Sequence, residues 1–97
     1  MAAHIDLFGD DPVAWITINR PDKLNIFDRQ AIAELHSAVE TVGRASARVA
    51  IITGAGERAF CAGMDVRMMR ELSPLQARDM ISELHAAFRA IRELEKP

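Results

Sequence analysis

Residues 58–66 of this 97-residue sequence read Arg58-Ala59-Phe60-Cys61-Ala62-Gly63-Met64-Asp65-Val66. Small residues crowd the centre of the segment, and Asp65 stands where a short helix over residues 65–72 is predicted to begin. A helix start leaves backbone N–H groups unpaired at the positive end of the helix dipole, and Gly63 removes side-chain bulk so that a ligand can come close to the backbone. The segment suits a carbonyl oxygen that acquires negative charge, although an ordinary glycine-containing helix start fits the same residues.

The residues before this segment predict two strands, a helix and a third strand. Residues 5–8 and 13–19 predict strands joined by the turn Gly9-Asp10-Asp11-Pro12. Asp28 is the predicted N-cap of a helix that ends near Gly43, and residues 48–53 predict a fully buried strand stopped by Gly54. The helix has apolar residues at helical spacing, which predicts a buried stripe of Ala31, Ile32, Leu35, Ala38, Val39 and Val42.

A long helix follows the short one over residues 65–72. Ser73, Pro74 and Gln76 form a capping-box pattern with proline at the first helical position. The buried stripe predicted for this helix is Ala77, Met80, Ile81, Leu84, Ala87, Phe88, Ile91 and Leu94. The order β-β-α-β-α-α predicts a mixed α/β fold with a layered core.

Composition limits the function classes that fit the sequence. The net charge of −2, with signs interspersed, gives no footprint for nucleic acid, and the longest apolar run, residues 49–52, is too short to span a membrane. The start of the chain, from Met1 and Ala2, lacks a secretion signal. Cys61 is the single cysteine, so an internal disulfide is excluded. We expect one cytoplasmic domain over residues 1–97 and interpret the end at Pro97 as a truncation.

Other motifs are weaker. Gly54-x-Gly56-x-x-Ala59 matches a relaxed dinucleotide fingerprint, but Gly63 follows too soon for the long helix that such a site needs. The scattered histidines show no metal-ligand spacing, so no metal site is predicted. Cys61 is interpreted as a small core residue, and the carboxylates on the helices are interpreted as solvated. Those carboxylates are Glu34, Glu40, Asp79 and Glu83.

Four motifs, in order, resemble the enoyl-CoA hydratase/isomerase (crotonase) family. The residues from Phe60 to Val66 resemble its signature of an aromatic residue, small residues, Gly-x-Asp and an aliphatic residue. Asn19-Arg20-Pro21 and the following Lys23-Leu24-Asn25 look like the segment that ends an early strand in the family. Thr53-Gly54-Ala55-Gly56 is similar to its strand end and turn, and Lys96-Pro97 to the dipeptide that opens its next strand. The resemblance covers essentially the whole chain.

The resemblance implies a spiral of ββα units, of which this chain holds about the first one and a half, as the N-terminal part of one acyl-CoA-binding domain. It implies an acyl-CoA thioester as substrate, with coenzyme A (CoA) as part of the substrate, no separate cofactor and no metal. It implies that the backbone N–H of Met64 stabilises an enolate oxygen. The implied substrate and CoA contacts are Lys23, Leu24, Ile26, Ala62, Met64, Asp65 and Val66, with Asp65 also capping the short helix and Arg20 and Asn25 fixing the loop.

Two departures from the family pattern concern the ligand. Ile26 stands where the family usually has alanine, and Met64 is bulkier than the usual alanine, so the acyl-chain preference is open. The second oxyanion donor, the acid and base carboxylates and the trimer-forming helices lie beyond Pro97 in the family. The sequence therefore does not distinguish hydratase or isomerase activity from hydrolase, dehalogenase or lyase activity. We expect the 97 residues alone to be inactive. A complete enzyme is expected to form a homotrimer or dimer of trimers; the alternative is a non-catalytic fragment that packs against a partner through its helices.

Overall fold

The computed structural model describes residues 3–10 and 12–97. Asp11 belongs to the predicted turn, and Met1 and Ala2 belong to the segment predicted to lack a secretion signal. These three residues lie outside the described residues. The elements, in chain order, are β1 (Ile5–Asp10), β2 (Val13–Ile18), α1 (Arg29–Arg44), β3 (Val49–Gly54), α2 (Val66–Arg70) and α3 (Pro74–Arg92). Within residues 3–10 and 12–97, no helix is long and apolar enough to cross a membrane.

The three strands form one mixed sheet with β2 in the centre. β1 pairs with β2 antiparallel, and β3 pairs with β2 parallel, so that Ile16 lies between Leu7 and Ile52. Ala14, Ile16 and Ile18 are buried, whereas Trp15 on the opposite face is 39% exposed. Because α1 is the crossover between two parallel strands and contacts both β1 and β2, the predicted mixed α/β layering is confirmed.

Helix α1 covers the buried face of the sheet. The carboxylate of Asp28 accepts a hydrogen bond from Ala31 N–H at 2.8 Å, which confirms the predicted cap. All six apolar residues predicted for its buried stripe are buried. α1 ends at Arg44, one residue beyond Gly43, so the end is close to the predicted one and Gly43 is still helical. A Cβ at Gly43 would lie 3.5 Å from the side chain of Leu94, an ordinary van der Waals distance, so α1 lies close to the end of the chain at this point.

Strand β3 is less buried than predicted. Each of its residues is half-buried, so the prediction of a fully buried strand is wrong. Within the described part of the chain its only partner strand is β2. On its other edge, Ala50 N–H donates to the carbonyl of Pro97 at 2.9 Å. A short apolar run predicts a strand, but it does not predict how many layers cover that strand.

Helix α3 begins at Pro74 as predicted, whereas α2 runs only from Val66 to Arg70, inside the predicted range 65–72. Ser73 and Gln76 form both hydrogen bonds of the capping box at the start of α3. The predicted stripe of α3 is wrong in part: Met80 and Ala87 are buried, but Ile81 is 39% and Phe88 is 50% exposed. The rest of that stripe is half-buried: Ala77, Leu84, Ile91 and Leu94. Helix α3 packs mainly on α1, so a part of its wide apolar face stays uncovered.

Two helix carboxylates predicted to be solvated are engaged in contacts. Glu34 Oε1 accepts hydrogen bonds from the backbone N–H groups of His4 and Ile5, at 2.9 and 3.0 Å, and so holds the start of β1 against α1. Glu83 on α3 forms an ion pair with Arg29 on α1. The same prediction holds for Glu40 and Asp79, which are exposed. Helical position alone did not indicate these long-range partners.

The cap of α1 predicts a pH dependence of stability. Burial tends to raise the pKa of Asp28, but the hydrogen bond from Ala31 and the charges of His4 and Arg20 outweigh it and lower that pKa below its ordinary value of 3.8. A lowered folded-state pKa stabilises the fold above the unfolded-state pKa, and this stabilisation is lost as pH falls through the folded-state value. Asp28→Asn removes the titrating group, so we expect the difference between wild type and variant in free energy of unfolding to shrink between pH 6 and pH 2.

Urea unfolding at the two pH values measures this difference. Asp79→Asn, at an exposed side chain, is the matched control and should show a difference that changes little with pH. A difference for Asp28→Asn that is equally large at pH 2 and pH 6 would contradict the role given to the charge of Asp28.

Candidate functional site

The side chain of Asn25 joins two loops, residues 20–27 and 55–65. It is fully buried; its Oδ1 accepts from Arg20 N–H at 2.8 Å, and its Nδ2 donates to the carbonyls of Ala55 and Ala59 at 3.0 and 2.8 Å. Its φ of 57° lies in the left-handed region, which asparagine tolerates better than most residues. Arg20 also donates to the carbonyl of Ile26 at 3.0 Å. The contacts by which Arg20 and Asn25 were expected to fix the loop are present.

Backbone hydrogen bonds extend the contact between the loops. Ala62 N–H donates to the carbonyl of Leu24 at 3.1 Å. Phe27 N–H donates to the carbonyl of Gly63 at 2.8 Å, and Asp65 N–H donates to the carbonyl of Phe27 at 2.8 Å, which makes a single parallel bridge opposite Met64. A residue bracketed in this way directs its own N–H to the other side of the chain. The loop pairing therefore orients the N–H of Met64.

The N–H of Met64 is an unused donor. Among residues 3–10 and 12–97, it forms no hydrogen bond with a backbone or side-chain acceptor. Gly63, the residue before it, has a φ of 123°, a conformation that side-chain-bearing residues rarely adopt, and a Cβ at Gly63 would meet nothing within 4 Å. Glycine is thus required for the backbone turn, and the space beside it is open. A ligand oxygen can therefore approach this donor.

The seven predicted contact residues lie together in the structure. They line one groove of about 580 Å³ between the two loops, as follows: Lys23, Leu24, Ile26, Ala62, Met64, Asp65 and Val66. The carboxylate of Asp65 accepts from the N–H groups of Arg67 and Met68 at 3.0 and 3.2 Å, which confirms it as the cap of α2. Ile26 is half-buried in the groove wall.

The groove also contains two arginines that the sequence analysis did not select. Arg58 and Arg67 line it together with Lys23 and Asp22. No ion pair between described residues involves the side chain of Lys23, Arg58 or Arg67. Three cations thus face one groove without a carboxylate partner. Arg58 opens the segment quoted first, and Arg67 directly follows its last residue, so these positions were the signal in the sequence.

A second, apolar cavity of about 330 Å³ lies on the other side of Met64. Its walls come from the sheet, from the segment 60–64 and from α3, through Ile18, Phe60, Met64, Leu84 and Phe88 among others. Met64 lines both this cavity and the groove. Cys61 lies in the cavity wall and is half-buried, close to its predicted place as a small core residue.

The structure also bears on the other motifs. Gly54 ends β3, and a Cβ there would lie 2.5 Å from the carbonyl oxygen of Phe60, so the glycine permits a close backbone approach. Irregular chain follows it, and no helix begins before Val66, as the interpretation of residues 54–59 as a plain turn expects. Within the described part of the chain, no cluster of three or more histidine, cysteine or acidic side chains forms a metal-binding arrangement.

The mixed sheet and its crossover helix hold a polar groove next to an apolar cavity. A protein with this arrangement can bind an amphipathic ligand that extends from one into the other. The family model described as enoyl-CoA hydratase/isomerase matches residues 9–97. The chain belongs to the enoyl-CoA hydratase/isomerase family, as the four motifs predicted.

Two curated relatives and one solved structure show how similar this chain is to known proteins. The chain is 35% identical over 95 residues to a crotonyl-CoA hydratase of Syntrophomonas wolfei and 36% identical over 95 residues to a short-chain-enoyl-CoA hydratase of Clostridium acetobutylicum, covering 97% of this chain in each case. Among solved structures, an enoyl-CoA hydratase from Bacillus anthracis superposes with a TM-score of 0.89 at 29% identity, over 97% of this chain and 37% of that one. The fold prediction is confirmed, and the chain spans 36% of the length of these two curated relatives.

The buried amide provides a test of how the site is positioned. Asn25→Ala leaves Arg20 N–H and the carbonyls of Ala55 and Ala59 without their partner. An unsatisfied buried group costs about 1–3 kcal/mol, so we expect the free energy of unfolding to fall by at least that amount. Lys23→Ala, at an exposed neighbour, is the control and should change it by less than about 0.5 kcal/mol. Equal losses for the two variants in urea unfolding would refute the role of Asn25.

Proposed function

We propose that this chain forms the part of an enoyl-CoA hydratase/isomerase-type enzyme that binds an acyl-CoA thioester and donates one hydrogen bond to its carbonyl oxygen. The observation that supports this most directly is the unpaired N–H of Met64, at the place where the polar groove and the apolar cavity meet. Family membership supports the substrate class, because both relatives named above are described as enoyl-CoA or crotonyl-CoA hydratases.

The proposed chemistry is stabilisation of an enolate. When a nucleophile adds to the double bond of an enoyl thioester, or when a proton leaves next to the carbonyl, negative charge grows on the carbonyl oxygen. A fixed backbone donor that is aimed at this oxygen stabilises the transition state more than the substrate. The loop pairing holds the N–H of Met64 in place before the ligand arrives. The step requires neither a metal nor a redox cofactor.

The CoA portion is assigned to the groove. Its phosphates are anionic, and Lys23, Arg58 and Arg67 line the groove without ion-pair partners among the described residues. Guanidinium groups suit phosphate because they form two parallel hydrogen bonds. The apolar residues Leu24, Ile26 and Val66 give the groove surface for the less polar parts of CoA.

None of the described residues is assigned to the proton transfers. No aspartate, glutamate or histidine of residues 3–10 and 12–97 lines the apolar cavity. Asp65, the nearest carboxylate in sequence to the donor, is already engaged as a helix cap. A second oxyanion donor and an acid–base pair are therefore required for turnover. Their identity decides between hydratase and isomerase activity.

The donor role of Met64 is tested by three variants. Met64→Ala keeps the N–H and should keep kcat on a short enoyl-CoA, whereas Met64→Pro removes the N–H and should lower kcat by about 10²–10³-fold. Asp65→Asn should be tolerated, since asparagine also caps helices. The measurement is kcat on one short enoyl-CoA thioester. It is made with each variant in a catalytically active form of the protein.

Proline also restricts Gly63, so CoA binding and thermal unfolding of each variant serve as controls for the fold. The proposal is refuted if Met64→Pro binds CoA and stays fully active while Asp65→Asn abolishes turnover.

The groove cations have their own prediction. Removing Arg58 and Arg67 together, by Arg58→Ala and Arg67→Ala, should weaken CoA binding by about two- to thirtyfold, because each exposed ion pair contributes about 0.2–1 kcal/mol. Binding of an acyl-pantetheine that lacks phosphates should not change. Arg70→Ala, on α2 but outside the groove wall, is the matched control. Equal effects of the double variant on both ligands would show that the arginines do not contact phosphate.

A second candidate function is packing against a partner chain through α3. The observation in its favour is apolar surface on this helix that the described residues leave uncovered, at Leu75, Ile81 and Phe88, which are 64%, 39% and 50% exposed. Binding of free CoA separates the two functions. A chain that associates with a partner but fails to bind CoA supports the packing module.

A further inference from the structure

The carboxylate of Asp28 uses its two oxygens for different contacts. Oδ1 accepts from Ala31 N–H at 2.8 Å, which caps α1, and lies 3.2 Å from Nδ1 of His4. Oδ2 lies 3.5 Å from Nη1 of Arg20, an ion-pair distance. The Arg20 and Asp28 side chains are only 11% and 22% exposed, so water screens this pair less than it screens a pair on the surface. The helix cap accounts for Oδ1 but not for the contact of Oδ2.

The guanidinium of Arg20 connects this carboxylate to the groove. The same Nη1 donates to the carbonyl of Ile26 at 3.0 Å, and Ile26 belongs to the groove wall. The N–H of Ile26 donates to the carbonyl of Lys23 at 3.2 Å. Both backbone polar groups of Ile26 are therefore bonded within the loop. The place of Ile26 in the wall thus depends on where the Arg20 guanidinium is held.

We infer that Asp28 is a positioning residue of the groove: through Arg20 it holds Ile26 in the wall against which CoA binds. The inference rests on the proposed function, because that function assigns CoA to this groove. The sequence analysis expected Arg20 to fix the loop, but it indicated no residue that fixes the Arg20 side chain. A wall residue that is already in place does not have to be ordered when the ligand binds, and this lowers the cost of binding.

The charge of Asp28 is what holds the guanidinium. Among residues 3–10 and 12–97, Asp28 is the one ion-pair partner of Arg20. A partly buried cation without a counterion is unfavourable, so without this charge the guanidinium turns toward water and releases the carbonyl of Ile26. The hydrogen bonds of the Asn25 side chain involve neither side chain of the pair. The effect is therefore confined to the groove wall around Ile26.

The alternative is that Asp28 only caps α1, and two substitutions separate the two roles. Asparagine also caps helices, so Asp28→Asn keeps an oxygen for Ala31 N–H. Its amide NH₂ replaces Oδ2 and cannot accept from Arg20. Asp28→Ala loses the cap and the contact with Arg20 together. Only the positioning role predicts that the two variants resemble each other in ligand binding.

The test is calorimetric titration of free CoA into wild type, Asp28→Asn and Asp28→Ala at neutral pH. Both variants should bind CoA about two- to tenfold more weakly, the cost of ordering one wall side chain on binding. Thermal unfolding of the same proteins should show the larger loss of stability for Asp28→Ala, because only that variant loses the cap. A purely structural role predicts instead that the affinity follows the stability.

Glu40→Gln is the matched control on the same helix. The carboxylate of Glu40 also contacts a histidine and an arginine, His36 at 2.9 Å and Arg44 at 3.8 Å, but none of these three residues lines the groove. This variant should leave the affinity for CoA unchanged. A loss equal to that of Asp28→Asn would show a general effect of charge and would overturn the inference.

A double-mutant cycle tests the route through Arg20. If Asp28 acts through Arg20, the variant with both Arg20→Ala and Asp28→Asn should bind CoA as weakly as Arg20→Ala alone. In a catalytically active form of the protein, Asp28→Asn should raise KM for a short enoyl-CoA by a larger factor than it lowers kcat. The reason is that the backbone bridge to Phe27, rather than Asp28, brackets the N–H of Met64.

The outcomes separate the inference from the function beneath it. If wild type does not bind free CoA, the proposed function is overturned. If wild type binds CoA and Asp28→Asn binds it as tightly, Asp28 is only a cap and the inference alone is overturned. Losses of affinity that add in the double variant with Arg20→Ala also overturn it, because the two residues then act independently.

Discussion

The buried amide of Asn25 is the constraint on which the site depends. Its oxygen accepts from Arg20 N–H within its own loop, and its nitrogen donates to two carbonyls of the loop after β3, so the side chain joins the loop after β2 to the loop after β3. The two loops are 30 and 34 residues apart in sequence at these contacts, so the amide closes a long segment of chain that includes the whole of α1. With the amide in place, the backbone bridge between Phe27 and Met64 can form. The direction of the Met64 N–H follows from that bridge.

Glycine supplies the rest of the geometry, in two different ways. Gly54 is required by space, because a Cβ there would meet the backbone of Phe60 at 2.5 and 2.8 Å. Gly63 is required by its φ of 123°, although a Cβ would have room. One glycine thus brings the loop against the strand end, and the other turns the chain so that the residue after it presents its N–H to an open space. The loop positions these groups without regular secondary structure.

The sequence predicts features that nearby residues determine. It does not predict which surfaces other elements pack against and cover. The stripe of α1 and the caps Asp28, Asp65 and Ser73 are where the residue pattern placed them. The seven residues that the family resemblance implied lie together in the groove wall. The coverage of β3, the exposure of Ile81 and Phe88 and the burial of the Glu34 carboxylate depend on packing partners distant in sequence, and periodicity carries no information about these. Gly43 predicts the end of α1 only to within one residue, since the helix continues to Arg44.

Met64 lines both the polar groove and the apolar cavity, and this position supports the role proposed for its N–H. In the proposed function the CoA phosphates lie in the hydrated groove with its cations, and the thioester carbonyl lies beside the apolar cavity, at the edge of the low-dielectric side. A hydrogen bond to a developing negative charge is stronger there than in water, because the screening is weaker. A donor deep in the cavity would require full desolvation of the charged oxygen, and a donor in the groove would compete with water. A backbone N–H at the boundary avoids both costs, and it leaves the Met64 side chain free to vary with the acyl group.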